Sequence, residues 1–413
     1  MESIFLKCKS SYFFEKVQQI NQNFDKKRTF ANRKREVAAM KRTESIYLSL
    51  LRAGLWDTKA HLEGAIDWKA VLALAYRQST AGLICHAALQ LECGQIPSAI
   101  QTQMQAILMK FVNAHAMTNR TIARTVAMLQ EKGIHVVLLK GQGVASYYAA
   151  PLLRQCGDID LYVDDYAVAC DSIMTEDGRR RTEDGGRKAL ALSRSEATDK
   201  HTEFDLGGGL SLEIHEYTET LDDAKKNAMY QTFSDEGTTT GLVPIVFNGV
   251  SVSTPEDTFN AFYIFHHLWH HTIGLGMGLR QVCDWAVFLR THAGQLDEER
   301  LKHYLKAMNL MDEWQVFGSL VVHCLHLTAE EIPFYSSKND RRGRRLLHYI
   351  LNEGDNRDFK FGRSAQRTKK KAATLRYIFS KTRRLLPIFP RRAMTYFLSG
   401  IWSGVKKNLS SPK

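Results

Sequence analysis

The spacing of hydrophobic residues predicts helices on both sides of a central region of strands. From Met40 onwards, apolar residues recur at helical spacing in MKRTESIYLSLLRAGLW, and Thr43 or Ser45 is available as an N-cap. Further helical stretches are predicted over about 67–93 and 98–131. The apolar stripe of the last stretch is typical of a core-facing helix, and it consists of Ile100, Met104, Ile107, Leu108 and Phe111.

The period changes after Gly133, where short β-branched runs predict a small α/β unit. Residues 134–139 (IHVVLL) are typical of a buried strand, and 158–163 (DIDLYV) predict a second one. Between them, Lys140-Gly141-Gln142-Gly143 predicts a turn, followed by a short helix over 144–149 that ends before Pro151.

The second half of this unit is predicted to contain a helix and a hairpin. The helix spans about 165–175, and the polar stretch 176–199 is expected to be an exposed loop or a poorly ordered insertion. Strands near 200–206 and 210–217 are joined through three glycines, 207–209, which suit a hairpin turn.

Helical patterning returns at Thr254-Pro255-Glu256-Asp257, which predicts a helix with Thr254 as its N-cap and Pro255 in first position. Helices are then expected to about residue 352. The predicted fold class is α+β, with a small mixed sheet set between mostly helical regions. The predicted regions are a disordered basic extension (1–39, with Met40 a possible start), a helical region (40–131), the α/β core (132–252), a helical domain (253–354) and a basic amphipathic segment (355–413).

Composition and charge narrow the cellular setting and the partners. The 413 residues carry a net charge of +12, and seven scattered cysteines show no zinc-like spacing. Reduced thiols and an N-terminus without a secretion-type apolar core predict a cytoplasmic protein. Much of the basic charge lies near the two ends, in clusters at 26–28, 33–35, 341–345, 369–371, 383–384 and 391–392. Such clusters are usually solvated, but the C-terminal ones also suit weak contact with nucleic acid or an anionic membrane.

The residues that indicate chemistry begin with Asp158 and Asp160. One residue apart on a strand, they present both carboxylates on the same face. Two like charges so close repel each other unless a cation intervenes, and Mg²⁺ prefers oxygen ligands of this kind. By itself, however, an Asp-x-Asp pair is often only an exposed strand edge.

The neighbouring residues strengthen the case for a phosphate and metal site. Lys140 and Arg154 supply cations near the glycine-containing segment, whose backbone N–H groups could face phosphate. A third carboxylate is expected from a neighbouring strand, where LEIH provides Glu213 with His215 on the same face. Glu203 in HTEF is the competing candidate for that role.

The segments 138–163 and 211–216 resemble the uncharacterised nucleotidyltransferase family of the DNA polymerase beta superfamily, in its bacterial type. The resemblance covers about 40–400 and rests on lysine-glycine, a short helix, an arginine, DIDLYV and a downstream EIH. It implies that Asp158, Asp160 and Glu213 bind Mg²⁺ or Mn²⁺ and are catalytic. It also implies nucleotide or phosphate binding by Lys140, Gly141, Gln142, Gly143, Arg154 and His215. The glycine-serine turn usual in the superfamily is replaced here by Lys140–Gly143.

A second group of candidates follows Pro255. His267 and His271, like His266 and His270, are spaced i, i+4, which would allow one metal ion to be chelated, but the intervening glutamate of a zincin is missing. Packed or cavity-lining histidines that contact phosphate are therefore favoured. Arg280 and Asp284 also fit the family pattern, although at i, i+4 they could form only a helix salt bridge.

The sequence thus predicts a metal-dependent nucleotidyltransferase that moves a nucleoside monophosphate from a nucleoside triphosphate to an unidentified acceptor. Two alternatives stay open at this point. One is a catalytically inactive binding or assembly protein of the same fold, and the other is a basic nucleic-acid-binding protein, whose affinity would fall steeply with salt.

Overall fold

A computed structural model describes residues 40–92, 94–183, 194–197, 201–207, 209–274, 276–353, 379–395 and 397. The predicted extension 1–39, most of the predicted insertion 176–199 and much of 355–413 lie outside these residues. The helices before the sheet are α1 (40–56), α2 (Trp68–Arg77), α3 (Ala81–Leu89) and α4 (Ser98–Glu131). The apolar stripe of α4 is buried at Met104, Ile107 and Phe111, as its spacing predicts.

The central region alternates strands with short and long helices. Its strands are β1 (Val136–Leu139), β2 (Ile159–Val163), β3 (Arg194–Ala197), β4 (His201–Asp205), β5 (Ser211–His215), β6 (Val243–Phe247) and β7 (Val250–Thr254). Its helices are α5 (Gly141–Ala145), α6 (Tyr166–Glu183) and α7 (Ala224–Thr239), with a 3₁₀ turn at Pro151–Leu153.

The helices after the sheet begin with α8 (Asp257–Ile273) and continue with α9 (Leu279–Thr291), α10 (Glu298–Ala307), α11 (Met311–Leu325) and α12 (Asp340–Glu353). Two further helices, α13 (379–385) and α14 (390–395), lie in the predicted basic segment. Leu385, Ile388 and Phe389 from this segment are buried in the main hydrophobic core. No helix within the described ranges has both the length and the hydropathy that crossing a bilayer requires.

The seven strands form one mixed sheet in the order β3-β4-β5-β2-β1-β7-β6. The pairs β2·β5 and β1·β7 are parallel, whereas β1·β2, β3·β4, β4·β5 and β6·β7 are antiparallel. Strand alternation gives the sheet two distinct faces. Leu138 and Leu161 point to a core shared with α4, whereas Val137 and Leu139 point to the core of the helical regions. The predicted α+β class with a mixed sheet between helical regions is confirmed.

The helical regions before and after the sheet share the larger of these cores. Gln78, which is fully buried in the turn after α2, joins them by hydrogen bonds. Its side-chain amide donates to the Ile350 carbonyl at 3.1 Å, and its side-chain oxygen accepts from the Leu279 N–H at 3.0 Å. Trp56 of α1 likewise donates to the Leu325 carbonyl at 2.7 Å.

Several predicted elements differ from the structure. The segment 141–145 is the short helix α5 instead of a turn, and α6 continues through 183, where a loop or insertion was predicted. Residues 194–197 form β3, so this part of the predicted insertion is a strand. The helix predicted from Thr254 begins at Asp257, with Glu256 as the N-cap whose side chain accepts from the Phe259 N–H, because Thr254 still belongs to β7.

Candidate active site

Three carboxylates lie in a row across neighbouring strands. In the parallel pair of β2 and β5, Asp160 is the direct partner of Glu213. In the antiparallel pair of β4 and β5, Glu213 is in turn opposite Glu203. Neighbouring strands are only about 4.8 Å apart, so the three carboxylates repel one another. Nearby cations or hydrogen-bond donors must compensate their charges.

Lys140 provides that compensation at the buried end of the row. Its ammonium Nζ lies 3.0 Å from Oδ1 of Asp160, whose side chain is 10% exposed. Burial alone would raise the pKa of the Asp160 carboxyl, but Lys140 and His215 outweigh burial and hold that pKa well below its ordinary range. Asp160 is therefore an anion at any physiological pH.

The backbone at Lys140 explains how this side chain reaches the row. Lys140 directly follows β1 and is the N-cap of α5, with φ of 48° and ψ of −143°. A positive φ is costly for a residue with a Cβ, and such strain is maintained only where surrounding contacts fix it. The ion pair with Asp160 is one such contact. Burial lowers the pKa of Lys140, but Asp160 and Glu213 raise it by more, so the group stays protonated.

His215 connects two of the carboxylates. It is 1% exposed, and its Nε2 lies 3.1 Å from both Asp160 Oδ1 and Glu213 Oε2. Because ionised carboxylates only accept hydrogen bonds, Nε2 carries the proton and donates to both. Burial lowers the pKa of His215, but these two bonds raise it above its ordinary value.

His201 approaches the same carboxylate from the next strand. It is the antiparallel partner of His215, and the two imidazole centroids are 5.0 Å apart. His201 Nε2 lies 3.8 Å from Glu213 Oε2. Glu203 is held differently, because its Oε1 accepts a 2.7 Å hydrogen bond from the Ser211 hydroxyl.

A cavity of about 310 Å³ opens above the carboxylate row. Asp158, just before β2, is exposed in it, and Glu213 lines it whereas Glu203 does not. Most of the predicted site residues line this cavity: Lys140, Gly141, Arg154, Asp158, Asp160, Glu213, His267, His271, Arg280 and Asp284. The cavity is large enough for part of a nucleotide.

Arg154 is engaged with Asp284. Its Nε and NH2 groups donate to the two carboxylate oxygens of Asp284 at 2.7 and 2.8 Å, and the Tyr148 hydroxyl donates to the same carboxylate at 2.6 Å. Arg154 and Asp284 are 5% and 7% exposed. This bidentate ion pair joins the segment before β2 to α9.

Arg280, one turn before Asp284 on α9, supports the loop that carries Asp158. Its NH1 donates to the carbonyls of Gln155 and Cys156 at 3.2 and 3.3 Å. A Cβ on Gly157 would lie only 3.4 Å from that NH1. Arg280 therefore packs against the backbone directly before Asp158 and fixes where this carboxylate enters the cavity.

Gln142 and Gly143 lie outside the cavity lining. The Gln142 side-chain amide is buried and donates to Asn119 Oδ1 at 2.7 Å and His115 Nδ1 at 3.0 Å, both on α4. A Cβ on Gly143 would come within 3.1 Å of the Thr254 methyl group. Gln142 therefore anchors α5 against α4, and Gly143 allows the close approach of α5 to β7.

Three histidines of α8, His267, His270 and His271, line the cavity, whereas His266 is buried against Tyr230 and Phe262. His267 and His271 are in edge contact, with ring centroids 4.4 Å apart. Three polar cavity-lining residues were not identified from the sequence: His201, Glu219 and Gln281. For His201 a signal existed, because it shares a strand with the candidate Glu203 at i+2.

Comparison with known proteins gives two similarities. The family model described as uncharacterised nucleotidyltransferase matches residues 64–326, a range that contains the whole sheet and every cavity residue named above. Among solved structures, the chain is similar to an antigenic nucleotidyltransferase-like protein from Paracoccidioides brasiliensis. The identity is 12% and the TM-score 0.31, over 56% of this chain and 96% of that chain. No curated protein matches.

Proposed function

The chain belongs to the uncharacterised nucleotidyltransferase family, and we propose that it transfers a nucleoside monophosphate from a nucleoside triphosphate to an acceptor hydroxyl or phosphate. One observation carries the proposal: Asp158, Asp160 and Glu213 line the same cavity together with the ammonium group of Lys140. The acceptor would be a sugar, another small metabolite, a protein or an RNA end, and the reaction would be cytoplasmic.

The donor set fits a divalent metal ion. Mg²⁺ and Mn²⁺ take oxygen ligands, and Asp158, Asp160 and Glu213 offer carboxylates, of which Asp160 is kept ionised by its neighbours. These three residues would hold the ion. Bound there, the metal would neutralise triphosphate charge and lower the pKa of the attacking hydroxyl.

The residues of the chain would position the reactants and move the proton. Lys140 lines the cavity, and its ammonium group would contact a phosphate oxygen there. Glu213 is the candidate base that accepts the proton of the acceptor hydroxyl. The acceptor oxygen then bonds to the α-phosphorus while the bond from that phosphorus to the pyrophosphate oxygen breaks. His267 and His271, which line the cavity, would contact the phosphates, and Arg154, Arg280 and Asp284 would position the Asp158 loop.

The alternative is a catalytically inactive member of the family that binds a nucleotide or a protein partner. It is favoured by the Lys140–Asp160 ion pair, because an ammonium group on this carboxylate can replace the charge that a metal would supply. The absence of a glycine-serine turn at Lys140–Gly143 points the same way.

Incubation of the full chain with each α-³²P-labelled nucleoside triphosphate, Mg²⁺ or Mn²⁺ and a cell extract tests the proposal. We expect label to be transferred to an acceptor in the extract, and transfer to fall by at least about 100-fold in Asp158→Asn and Asp160→Asn, which remove metal ligands. Glu203→Gln is the matched control in the same sheet. Nucleotide binding without label transfer in any fraction would favour the inactive alternative.

A further inference from the structure

The carboxylate row continues into a cluster that combines imidazole and carboxylate donors. His201, Glu213 and His215 each offer one ligand atom, and these atoms all lie within 4.8 Å of one another. Oε2 of Glu213 is the centre of the cluster, 3.1 Å from His215 Nε2 and 3.8 Å from His201 Nε2. Both imidazoles therefore present the same type of nitrogen to one carboxylate oxygen.

The strand register explains why these donors converge. His201 and His215 are direct antiparallel partners on β4 and β5, so their side chains stand side by side on one face. Glu213 is two residues before His215 on β5, and residues at i and i+2 share a face of a strand. Three positions on two rigid strands are thus enough to build the cluster, without any contribution from a loop.

The distances suit a small cation. A metal ion about 2.1 Å from each nitrogen or oxygen ligand keeps tetrahedral ligands about 3.4 Å apart. The separations of 3.1 and 3.8 Å in the structure lie on both sides of that value. Asp160 Oδ1 lies 3.1 Å from His215 Nε2 but is paired with the Lys140 ammonium at 3.0 Å, so the fourth ligand would be water or substrate. His215 Nε2 would release its proton when it binds the cation.

We propose that His201, Glu213 and His215 bind a first-row transition-metal ion such as Zn²⁺ or Mn²⁺ in preference to Mg²⁺. Imidazole nitrogens favour such ions, whereas Mg²⁺ prefers an all-oxygen shell. This inference deepens the proposed function, because Glu213 belongs to both sites. It adds a cation position with nitrogen ligands beside the carboxylates of Asp158 and Asp160.

Binding is measured on the full chain without nucleotide, after chelator treatment, by calorimetric titration with Zn²⁺, Mn²⁺ or Mg²⁺. Co²⁺ is a spectroscopic probe, since its visible absorption reports nitrogen ligation. We expect Zn²⁺ to bind at least about tenfold more tightly than Mg²⁺. His201→Gln and His215→Gln should each weaken Zn²⁺ binding by about 10- to 100-fold and reduce the Co²⁺ absorption.

His270→Gln is the matched control, because His270 lines the same cavity but lies outside the cluster; its Zn²⁺ affinity should equal that of the unmodified chain. Circular dichroism checks that each variant is folded. If His215→Gln unfolds, the His201→Gln result still decides the question, because His201 is only partly buried. Zn²⁺ affinity that is unchanged in His201→Gln, or equal to the Mg²⁺ affinity, overturns the proposal. If the chain binds the metal as expected but transfers no nucleotide, the metal site stands and only the proposed function is refuted.

Discussion

The ammonium group of Lys140 lies 3.0 Å from the buried carboxylate of Asp160. Lys140 directly follows β1, and Asp160 lies on the antiparallel neighbour β2, where it is the register partner of Leu139. This pair keeps a negative charge stable inside the sheet before any ligand arrives. Lys140 is therefore both a candidate phosphate ligand and a structural counterion.

Lys140→Met should separate these two contributions. Removing the cation leaves Asp160 charged and partly uncompensated, so we expect the free energy of unfolding to fall by about 3 kcal/mol. A divalent cation can then replace the missing charge, and millimolar Mg²⁺ should raise the melting temperature of this variant more than that of the unmodified chain. Urea unfolding and thermal melts with and without Mg²⁺ measure both effects. Lys302→Met, which breaks an exposed pair with Glu299, is the control and should cost less than about 1 kcal/mol.

Glu213→Gln should abolish nucleotidyl transfer, while Glu203→Gln stays near the rate of the unmodified chain. Glu213 lines the cavity and shares His215 with Asp160, whereas Glu203 accepts a hydrogen bond from Ser211. Loss of a general base reduces rates by at least about 100-fold. Label transfer from the triphosphate is the assay, with circular dichroism as a check of folding. Loss of activity in Glu203→Gln, with Glu213→Gln near normal, would reverse the assignment.

Asp284→Asn should destabilise the fold by about 3 kcal/mol, because it leaves the buried guanidinium of Arg154 without its bidentate partner. Asp312→Asn is matched to it, since Asp312 also receives two hydrogen bonds from one arginine but is 58% exposed. That exposed pair should contribute less than about 1 kcal/mol. Urea titration of both variants gives the two values. Equal losses would show that the burial of the Arg154–Asp284 pair has no energetic consequence.

His292 is expected to make part of the stability depend on pH. Burial lowers its pKa, but the Asp257 carboxylate 3.2 Å away and the Phe288 carbonyl raise it above the ordinary value. The resulting stabilisation is fully present below the unfolded pKa of about 6.5 and is lost as the pH rises through the folded pKa. His292→Gln should therefore lower the free energy of unfolding more at about pH 5.5 than at about pH 8.5. Urea midpoints at both pH values test this, and a difference that grows with pH would contradict it.

The parts of the site that depend on local sequence patterns could be predicted. The alternation in DIDLYV and LEIH predicted β2 and β5, and with them two strands that present Asp160 and Glu213. The register that makes these two acids direct partners is a property of the assembled sheet. The position of His201 two residues before Glu203 was a local signal, but its antiparallel pairing with His215 cannot be obtained from either strand alone.

Other misses have local causes. Helix α7 lacks a continuous apolar stripe and buries a mixed set that includes Tyr230, Phe233 and Thr238, so its period is weak. Strand β6 contains Pro244, which is tolerated because β6 lies at the edge of the sheet. The hairpin of β6 and β7 did have a signal, since Asn248 and Gly249 both adopt positive φ in the turn, as an Asn-Gly hairpin favours.

The hydrogen bonds of Gln78 have a consequence for the order of folding. Its carbonyl partner Ile350 is 272 residues away along the chain, and its partner Leu279 is 201 residues away. During synthesis, the first helices leave the ribosome long before the residues that bury them. Contacts of such long range slow folding, because the intervening chain must be ordered before they form. The surface around Gln78 that Leu279 and Ile350 cover is therefore buried only after α9 and α12 have emerged, and in this interval the nascent chain is most exposed to aggregation.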